Sequence, residues 1–221
     1  MIRVVVADDQ PMVRAGLTTL LNAAPDIEVV AAVEDGRAAV EAARTHHADV
    51  VCTDIRMPGM DGIAATRELC GPGVEDPVAV LVLTTFDIDD YLFGALEAGA
   101  SGFLLKDAEP EELVAAVRSV AAGNGTIDTS LTKRVLREVV IRRGTRPVVV
   151  ACATEVLTAR ELDILLLLAQ GMSNDEIADE LTLEVSTVKS HLARMMPKIG
   201  VRSRLQAAVW AYQNRIVDVP T

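Results

Sequence analysis

Apolar runs and helical stretches alternate along the first 122 residues. Of all features of the sequence, this alternation restricts the possible folds most. The runs are rich in Val and Ile without alternating polar positions, so each predicts a strand buried on both faces. The predicted strands are 2–7, 28–33, 49–53, 78–84 and 102–105, and the predicted helices are 11–23, 36–46, 61–70, 88–98 and 109–122. This order predicts an α/β, flavodoxin-like, doubly wound parallel sheet of five strands, in which ligands gather at the carboxyl ends of the strands.

Acidic side chains stand at the carboxyl ends of two predicted strands. Asp8 and Asp9 follow the first strand, and Asp54 ends the apolar run that begins at Val50. Buried strands rarely end on an unpaired carboxylate, and like charges at one edge of a sheet raise one another's pKa. Mg²⁺ relieves this repulsion, because it binds a few carboxylates together with waters and phosphate oxygens.

A hydroxyl and an ammonium group complete this set. Thr84 ends the fourth predicted strand, and Lys106 follows the fifth. In phosphoryl transfer a cation and a lysine neutralise developing charge, and a carboxylate can be the nucleophile. The combination predicts that Asp54 accepts a phosphoryl group. A structural cluster of ion pairs is the plainer alternative.

The last 65 residues predict four helices with explicit start signals. Three hydroxyl residues precede Glu or Gln by three positions, the pattern of a capping box: Thr158 with Glu161, Ser173 with Glu176, and Ser203 with Gln206. Gly171 suits the end of the first of these helices. A short helix, a three-residue turn and a helix over about 185–196 match the helix-turn-helix pattern, whose second helix enters a major groove. The sequence therefore predicts an all-α, four-helix helix-turn-helix domain over residues 154–221.

Two residues of the second helix-turn-helix helix are unfavourable. Glu184 stands at the N-cap, where Ser or Asp is the better residue. Pro197 lacks an N–H group and would clash with the carbonyl of Ala193, at a cost of roughly 3 kcal/mol in a straight helix. The sequence predicts that this helix ends or kinks near Met196 and leaves Lys198 on a loop.

The formal net charge of −11 is unevenly distributed. Residues 1–125 hold 8 basic and 21 acidic residues, whereas residues 126–151 hold 6 basic and 2 acidic ones. The basic stretch lies in residues 123–153, which we predict to be a linker with one helix over 129–143. A solvated helix face is the plain interpretation of its basic residues.

The cysteines and the N-terminal residues indicate the cellular compartment in which the protein is expected. Cys52, Cys70 and Cys152 form no CxxC pair, which indicates a reducing compartment and buried thiols. The sequence MIRVVVADDQ lacks the basic and apolar regions of a signal peptide, and the apolar runs are shorter than a membrane span. These features predict a cytoplasmic protein without a membrane partner.

Residues 1–122 resemble the receiver domain of two-component response regulators. The resemblance rests on the acidic pair after the first strand, the segment DIRMPGMDG that begins at Asp54, and the residues that end the last two strands. It implies that Asp54 is the phosphorylated aspartate and that Lys106 and Thr84 act on the phosphoryl group. It also implies a Mg²⁺ site made of Asp8, Asp9, Asp54 and the main-chain carbonyl of Arg56.

The same resemblance implies a two-state switch formed by Thr84 and Phe103, in which the hydroxyl turns toward the phosphoryl group and the ring fills the vacated space. Packing alone is the alternative for this pair. The segment CGPGVEDP (70–77) is longer than the family pattern, and we expect it to change only a surface loop.

Residues 154–217 resemble the DNA-binding domain of the LuxR-like (NarL/FixJ) subfamily. The matching stretch runs from LTARELDILLLLAQG through MSNDEIADELTLEVSTVKSHLARMMPKIGVRSRLQAAVWA. The resemblance implies DNA contacts from residues on or near the recognition helix: Thr187, Lys189, Ser190, His191, Arg194 and Lys198. Exposed helix charges without a role are the alternative, and His191 is the most ambiguous of the set.

Together the two resemblances imply a phosphorylation-controlled transcription regulator that is no enzyme beyond its own phosphoryl transfer and dephosphorylation. A sensor histidine kinase would phosphorylate Asp54, and a homodimer formed on activation would bind a double-stranded DNA operator. One alternative is a phospho-switched interaction module that no longer binds DNA, which Glu184, Pro197 and nearby acidic residues favour. Another is a phosphatase with an aspartyl-phosphate intermediate. Arg56 opposes it, because such sites carry a second acid at that position.

Overall fold

The computed structural model describes residues 1–71, 73–84, 89–124, 126–127, 156–201, 203–214 and 216–217. The chain divides into two compact units, Met1–Leu131 and Thr132–Thr221. The helix predicted over 129–143 falls outside the described residues. Within those residues, no helix is both long and apolar enough to cross a membrane.

The first unit is a parallel sheet with helices between successive strands. Its strands are β1 (Ile2–Ala7), β2 (Ile27–Val33), β3 (Val50–Asp54), β4 (Ala79–Thr84), β5 (Gly102–Leu105) and β6 (Thr126–Ile127), in the order β2-β1-β3-β4-β5-β6. Its helices are α1 (Pro11–Asn22), α2 (Gly36–His46), α3 (Gly62–Cys70), α4 (Asp89–Ala98) and α5 (Pro110–Ala121). The doubly wound architecture predicted from the alternating pattern is confirmed, and each predicted element agrees with the structure to within one residue at either end.

The strand β6 was not predicted. It has two residues, lies within the segment assigned to the linker, and pairs in parallel with Gly102 and Phe103 of β5. Two residues are too few to show any hydrophobic periodicity, so the sequence offers no signal for such a strand.

Apolar residues on both faces of the strands explain why the sheet is covered on both sides. One buried cluster joins the strands to α1 and α5 and includes Val6, Cys52, Leu83, Leu21 and Val117. Residues that alternate with these along the strands are equally buried, among them Val5, Val51 and Val82. The carboxyl ends of the strands are therefore the edge at which polar groups can meet without lying inside the core.

The second unit contains α6 (Ala159–Ala169), α7 (Asn174–Leu181), α8 (Val185–Lys198) and α9 (Arg204–Gln213). The helices bury apolar residues against one another, notably Ile164, Leu165, Ile177, Val188 and Leu192. Thr158 and Ser173 form complete capping boxes at the starts of α6 and α7, and Ser203 accepts a hydrogen bond from the Gln206 N–H. The four predicted helices are confirmed. They were predictable because the apolar periodicity and the capping residues indicate the same helix boundaries.

The helix α8 does not end near Met196, and Lys198 does not lie on a loop, so this part of the prediction is wrong. The helix continues through Pro197 to Lys198, and the N–H of Ile199 still donates to the carbonyl of Met195, 3.3 Å away. Proline removes one main-chain hydrogen bond, the one to Ala193, and only one further helical residue, Lys198, follows it. The predicted weakness of Glu184 agrees with the structure, in which its side chain makes no capping hydrogen bond.

Candidate functional site

Three carboxylates meet at the carboxyl edge of the sheet. One oxygen from each of Asp8, Asp9 and Asp54 lies within 4.8 Å of the other two. The topology causes this, because β1 and β3 are neighbours and Ala7 lies opposite Thr53. Asp8 is fully buried and Asp54 is 8% exposed, so water screens their mutual repulsion poorly.

Lys106 supplies a positive charge to this cluster. Its Nζ atom lies 2.7 Å from Oδ2 of Asp54 and 2.8 Å from Oδ2 of Asp8. Burial alone would lower the pKa of Lys106, but its contacts with Asp54 and Asp8 outweigh burial and raise the pKa above its ordinary value. Lys106 is therefore a fixed ammonium at neutral pH. Its single positive charge offsets only one of the three negative charges of the carboxylates.

The main chain fixes the orientation of Asp54. Its Oδ1 atom accepts a hydrogen bond from the N–H of Ile55 at 2.7 Å, and its carbonyl accepts one from the Thr53 hydroxyl at 2.9 Å. The N–H of Gly62 donates to the carbonyl of Ile55 at 2.8 Å, which draws the start of α3 against this loop. Asp54 is thus held at the strand end, with Oδ2 directed toward Lys106.

The arrangement fits a divalent cation. Oδ2 of Asp8 is buried and accepts no hydrogen bond among the described residues; Lys106 lies close to it, but as an ion pair without hydrogen-bond geometry. A buried carboxylate oxygen beside two further carboxylates is part of a donor set that Mg²⁺ accepts. Arg56, whose carbonyl is the predicted fourth ligand, stands in the loop after Asp54 with its side chain exposed.

The second unit forms the helix-turn-helix that the sequence predicted. Between α7 and α8, Thr182 adopts a left-handed conformation (φ 54°), and the N–H of Leu183 donates to the carbonyl of Ala178 at 2.8 Å. Val188, Leu192 and Met195 bury one face of α8. The opposite face exposes Lys189 and Arg194, and the helix contains no acidic residue. A basic, exposed helix face of this kind suits phosphate and base contacts in a major groove.

Comparisons with known proteins agree with both units. The family model described as "Response regulator receiver domain" matches residues 4–118, and "Bacterial regulatory proteins, luxR family" matches residues 155–211. The transcriptional regulatory protein LiaR of Bacillus subtilis (strain 168) is 40% identical over 218 residues, which cover 99% of this chain and 100% of LiaR. The chain belongs to the LuxR-like family of two-component response regulators.

Solved structures support the same assignment. The crystal structure of the response regulator ChrA, from a heme-sensing two-component system, is 40% identical, with a TM-score of 0.53 and 98% of each chain covered. A structure of two RcsB dimers bound to two parallel DNAs is 25% identical, with a TM-score of 0.55, and covers 96% of this chain and 98% of that one. This response regulator therefore combines a receiver domain with a LuxR-type DNA-binding domain, the composition of a transcription regulator.

The remaining receiver positions predicted from the sequence lie in β4 and β5. Thr84 ends β4 and is buried, and its carbonyl accepts a hydrogen bond from the N–H of Lys106 at 2.9 Å. Phe103 is fully buried in β5 opposite Val82, while Thr84 lies opposite Leu105. Since side chains alternate along strands, Thr84 and Phe103 belong to the same face of the sheet. Their role as a switch stays a prediction.

Five of the six predicted DNA contacts lie along the accessible part of the response regulator's recognition helix. Lys189, Ser190 and Arg194 are exposed, and Thr187 and His191 are partly exposed. The hydroxyl of Ser190 donates to the carbonyl of Ser186 at 2.9 Å, within the same helix.

Lys198 differs from the other predicted contacts. It is the last residue of α8, not a loop residue as predicted, and its Nζ atom lies 2.8 Å from both carboxylate oxygens of Glu161. Glu161 is 3% exposed and also accepts hydrogen bonds from the N–H and hydroxyl of Thr158. The Lys198 ammonium therefore joins α8 to α6 within the domain.

Substitution of Glu161 by glutamine is expected to destabilise the DNA-binding domain by about 1 kcal/mol at neutral pH, because an ion pair with Lys198 becomes a hydrogen bond from a charged donor to a neutral acceptor. Burial would raise the pKa of Glu161, but Lys198 and Thr158 together lower it below its ordinary value of 4.5. A lowered pKa in the folded state stabilises the fold above pH 4.5, and this contribution is lost as the pH falls through the folded value. Wild type and variant should therefore converge in acid.

Urea denaturation followed by Trp210 fluorescence measures this effect, because Trp210 is the only tryptophan of the chain and lies in α9. Asp163→Asn is the matched control: Asp163 pairs with Arg160 at 3.8 Å, and both side chains are about half exposed. Exposed pairs contribute little, so the control should match wild type. A deficit for Glu161→Gln that persisted unchanged at low pH would contradict the ion-pair explanation.

Sequence reasoning missed a buried arginine in the same domain. Arg204 begins α9 and is 8% exposed; its Nη1 atom donates to Oδ1 of Asn174 at 2.8 Å, and Nη2 donates to the carbonyl of Met172. Burial lowers the pKa of Arg204 to about 10. The guanidinium ties α9 to the start of α7. The sequence around Arg204 gives no signal of this contact, because the partners of Arg204 lie roughly thirty positions earlier in the chain.

Proposed function

We propose that a sensor histidine kinase phosphorylates this response regulator on Asp54 and that phosphorylation promotes dimerisation and operator binding. A carboxylate oxygen of Asp54 attacks the phosphorus of a phosphohistidine; the new P–O bond forms as the P–N bond breaks, and the electron pair of that bond returns to the imidazole. The observation that carries the proposal is the cluster of Asp8, Asp9 and Asp54 within 4.8 Å, with Lys106 at 2.7 Å from Asp54.

Residues of this chain would hold Mg²⁺ and orient the reactants. Asp8, Asp9, Asp54 and the carbonyl of Arg56 are the proposed ligands; when bound, the cation supplies charge neutralisation for the phosphoryl oxygens. Lys106 contacts Asp54 and would offer a second positive charge to the phosphoryl group. Thr84, beside Lys106 in the structure, is proposed to donate its hydroxyl to the phosphoryl group.

The proposed output is sequence-specific DNA binding by a homodimer. The recognition helix α8 presents a basic face with Lys189 and Arg194, and the groove contacts are assigned to these residues together with Thr187, Ser190 and His191. Two copies of α8 would read two half-sites of an operator related by the dimer's symmetry. Because chromosomal DNA is in the cytoplasm, the proposal assigns the protein's activity to that compartment.

The test measures oligomeric state and DNA binding of the full chain with and without beryllofluoride and Mg²⁺, a mimic of the phosphoryl group. We expect the mimic to produce a dimer with higher affinity for operator DNA, and we expect Asp54→Asn to abolish both responses. Asp54→Asn keeps the size of the side chain and its hydrogen bond from Ile55, so it serves as a matched variant. A response that persisted in Asp54→Asn would refute the assignment of the phosphate acceptor.

A second arm of the test addresses the recognition helix. Arg194→Ala should weaken operator binding and lower the dependence of affinity on salt concentration. With one phosphate contact fewer, binding releases fewer counterions from the DNA. Arg160→Ala removes an exposed arginine of the same domain that is not on α8, and it should bind as wild type does.

Two observations favour the alternative of an interaction module that does not bind DNA. Lys198 is already engaged with Glu161, and Glu184 leaves the start of α8 without a side-chain cap. If the mimic dimerises the protein but no DNA pool yields a bound sequence, this alternative replaces operator binding as the output.

A further inference from the structure

Arg14 makes a contact that the proposed phosphoryl transfer does not use. Its Nη1 atom donates a hydrogen bond to the main-chain carbonyl of Asp8, 2.5 Å away. Arg14 lies near the start of α1, six residues after Asp8. Helical side chains lean toward the N-terminus of their helix, so a long side chain at this position reaches back to the end of β1.

Asp8 is held by three hydrogen bonds, of which Arg14 supplies one. Its N–H donates to the carbonyl of Val33 at 3.1 Å, and its Oδ1 atom accepts from the N–H of Gln10 at 2.9 Å. With the carbonyl held by Arg14, the main chain of Asp8 is fixed on both sides. The remaining oxygen, Oδ2, is buried and lies 2.8 Å from Nζ of Lys106.

A solvated helix cation is the plainer interpretation of Arg14, and two observations oppose it. The side chain is partly buried in its contact with the end of β1. A cation at the start of a helix is also unfavourable, since the N-terminus already carries partial positive charge, and the first turn of α1 contains no acidic residue. Asp8 and Asp9, just before the helix, offset this cost, and the Arg14 guanidinium binds the Asp8 carbonyl.

We propose that Arg14 is a positioning residue of the metal site: by holding the Asp8 carbonyl, it keeps the carboxylates of Asp8 and Asp9 in the geometry that binds a divalent cation. The inference rests on the proposed function, because it takes the acidic cluster to be a cation site. Outer-shell partners of metal ligands act in this way by orienting the ligands.

Arg14 can affect cation affinity through its charge and through its hydrogen bond to Asp8. The two effects have opposite signs, so a measured affinity distinguishes between them. Removal of a nearby positive charge would tighten cation binding, whereas loss of the hydrogen bond to Asp8 would weaken it. The probe is Mn²⁺, whose free concentration is measured by electron paramagnetic resonance during titration of the full chain. We expect Arg14→Ala to raise the Kd for Mn²⁺ about tenfold, and we expect Arg14→Lys, which keeps a donor and the charge, to recover part of the loss.

Controls separate this inference from the proposed function. Arg118→Ala removes an exposed arginine of the same unit, paired with Asp26 at 2.6 Å, and should leave the Kd unchanged. If wild type binds Mn²⁺ and Asp8→Asn does not, but Arg14→Ala binds as tightly as wild type or more tightly, only the role of Arg14 is refuted. If wild type binds no Mn²⁺, or Asp8→Asn binds it normally, the metal site itself is refuted and the role of Arg14 with it. Should Arg14→Ala fail to fold, Arg14→Met, which keeps the length of the side chain but has no donor, decides by the same criteria.

Discussion

Replacement of Gly62 by alanine is expected to destabilise the receiver domain by about 3 kcal/mol and to abolish the response to the phosphoryl mimic. An added Cβ atom would lie 2.0 Å from the main-chain oxygen of Asp54 and 3.1 Å from Cα of Ile55. Both neighbours are main-chain atoms, so no side-chain rotation relieves the overlap. Either α3 or the end of β3 must move.

Movement at this point is opposed by hydrogen bonds that also define the site. The Asp54 carbonyl accepts from the Thr53 hydroxyl, and the Gly62 N–H donates to the Ile55 carbonyl. Displacement of α3 strains the second bond, and displacement of β3 moves Asp54, the proposed phosphate acceptor, away from Lys106. The substitution is therefore expected to affect stability and function together.

Thermal denaturation followed by circular dichroism measures the stability, and hydrogen exchange of peptides covering 50–62 locates the disturbance. Gly16→Ala is the matched control, because a Cβ at Gly16 in α1 meets no atom within 4 Å. Alanine is the better helix former, so this control should stabilise the domain by about 0.5–1 kcal/mol. Equal stability of Gly62→Ala and wild type would contradict this prediction. It would show that the loop between β3 and α3 can move to accommodate the added Cβ atom at little cost in free energy.

The elements of the receiver were predictable because local pattern and tertiary structure agree there. Runs such as VVVA in β1 and VVC in β3 are apolar at every position, and the sheet buries all of these residues. The same topology makes the acidic cluster predictable, since parallel neighbouring strands bring their carboxyl ends to one edge. Asp8 and Asp54 needed only the correct strand order to become neighbours.

The errors and omissions arise where long-range contacts decide the outcome. Pro197 carries a strong local signal against helix, yet α8 continues through it, because a proline in the last turn removes only one hydrogen bond. The partners of Lys198 and Arg204 lie 37 and 30 residues earlier in the chain, so neither pattern nor spacing reveals that one pairs with Glu161 and the other is buried. Arg14 is similar: its helical position is readable, but its contact with Asp8 depends on how α1 leaves the strand.

Replacement of Lys106 by methionine is expected to lower the free energy of unfolding of the receiver domain by about 3 kcal/mol in the absence of divalent cations. Methionine keeps much of the volume and removes the charge, which leaves Asp8 and Asp54 buried without their counter-ion. The pKa of Lys106 is raised above its ordinary value of 10.5, so in wild type this stabilisation is complete at neutral pH and is lost only as the pH rises through the folded value.

Two dependences identify the cause of the expected deficit. Added Mg²⁺ should stabilise Lys106→Met more than wild type, because the cation then relieves repulsion that no ammonium offsets. Acid should narrow the difference as well, since a protonated carboxylate no longer repels its neighbour. The response to beryllofluoride should be lost even where Mg²⁺ restores stability, because Lys106 is proposed to neutralise the phosphoryl group in addition to holding Asp54.

Arg37→Met is the control for a generic loss of positive charge. Arg37 pairs with Glu68 at 3.5 Å with its side chain 59% exposed, and exposed pairs of this kind contribute less than about 1 kcal/mol. Denaturation of both variants with and without Mg²⁺ supplies the comparison. If Lys106→Met were as stable as Arg37→Met and no more responsive to Mg²⁺, the three carboxylates would not be in electrostatic conflict, and the argument for a cation at this edge would fail with that result.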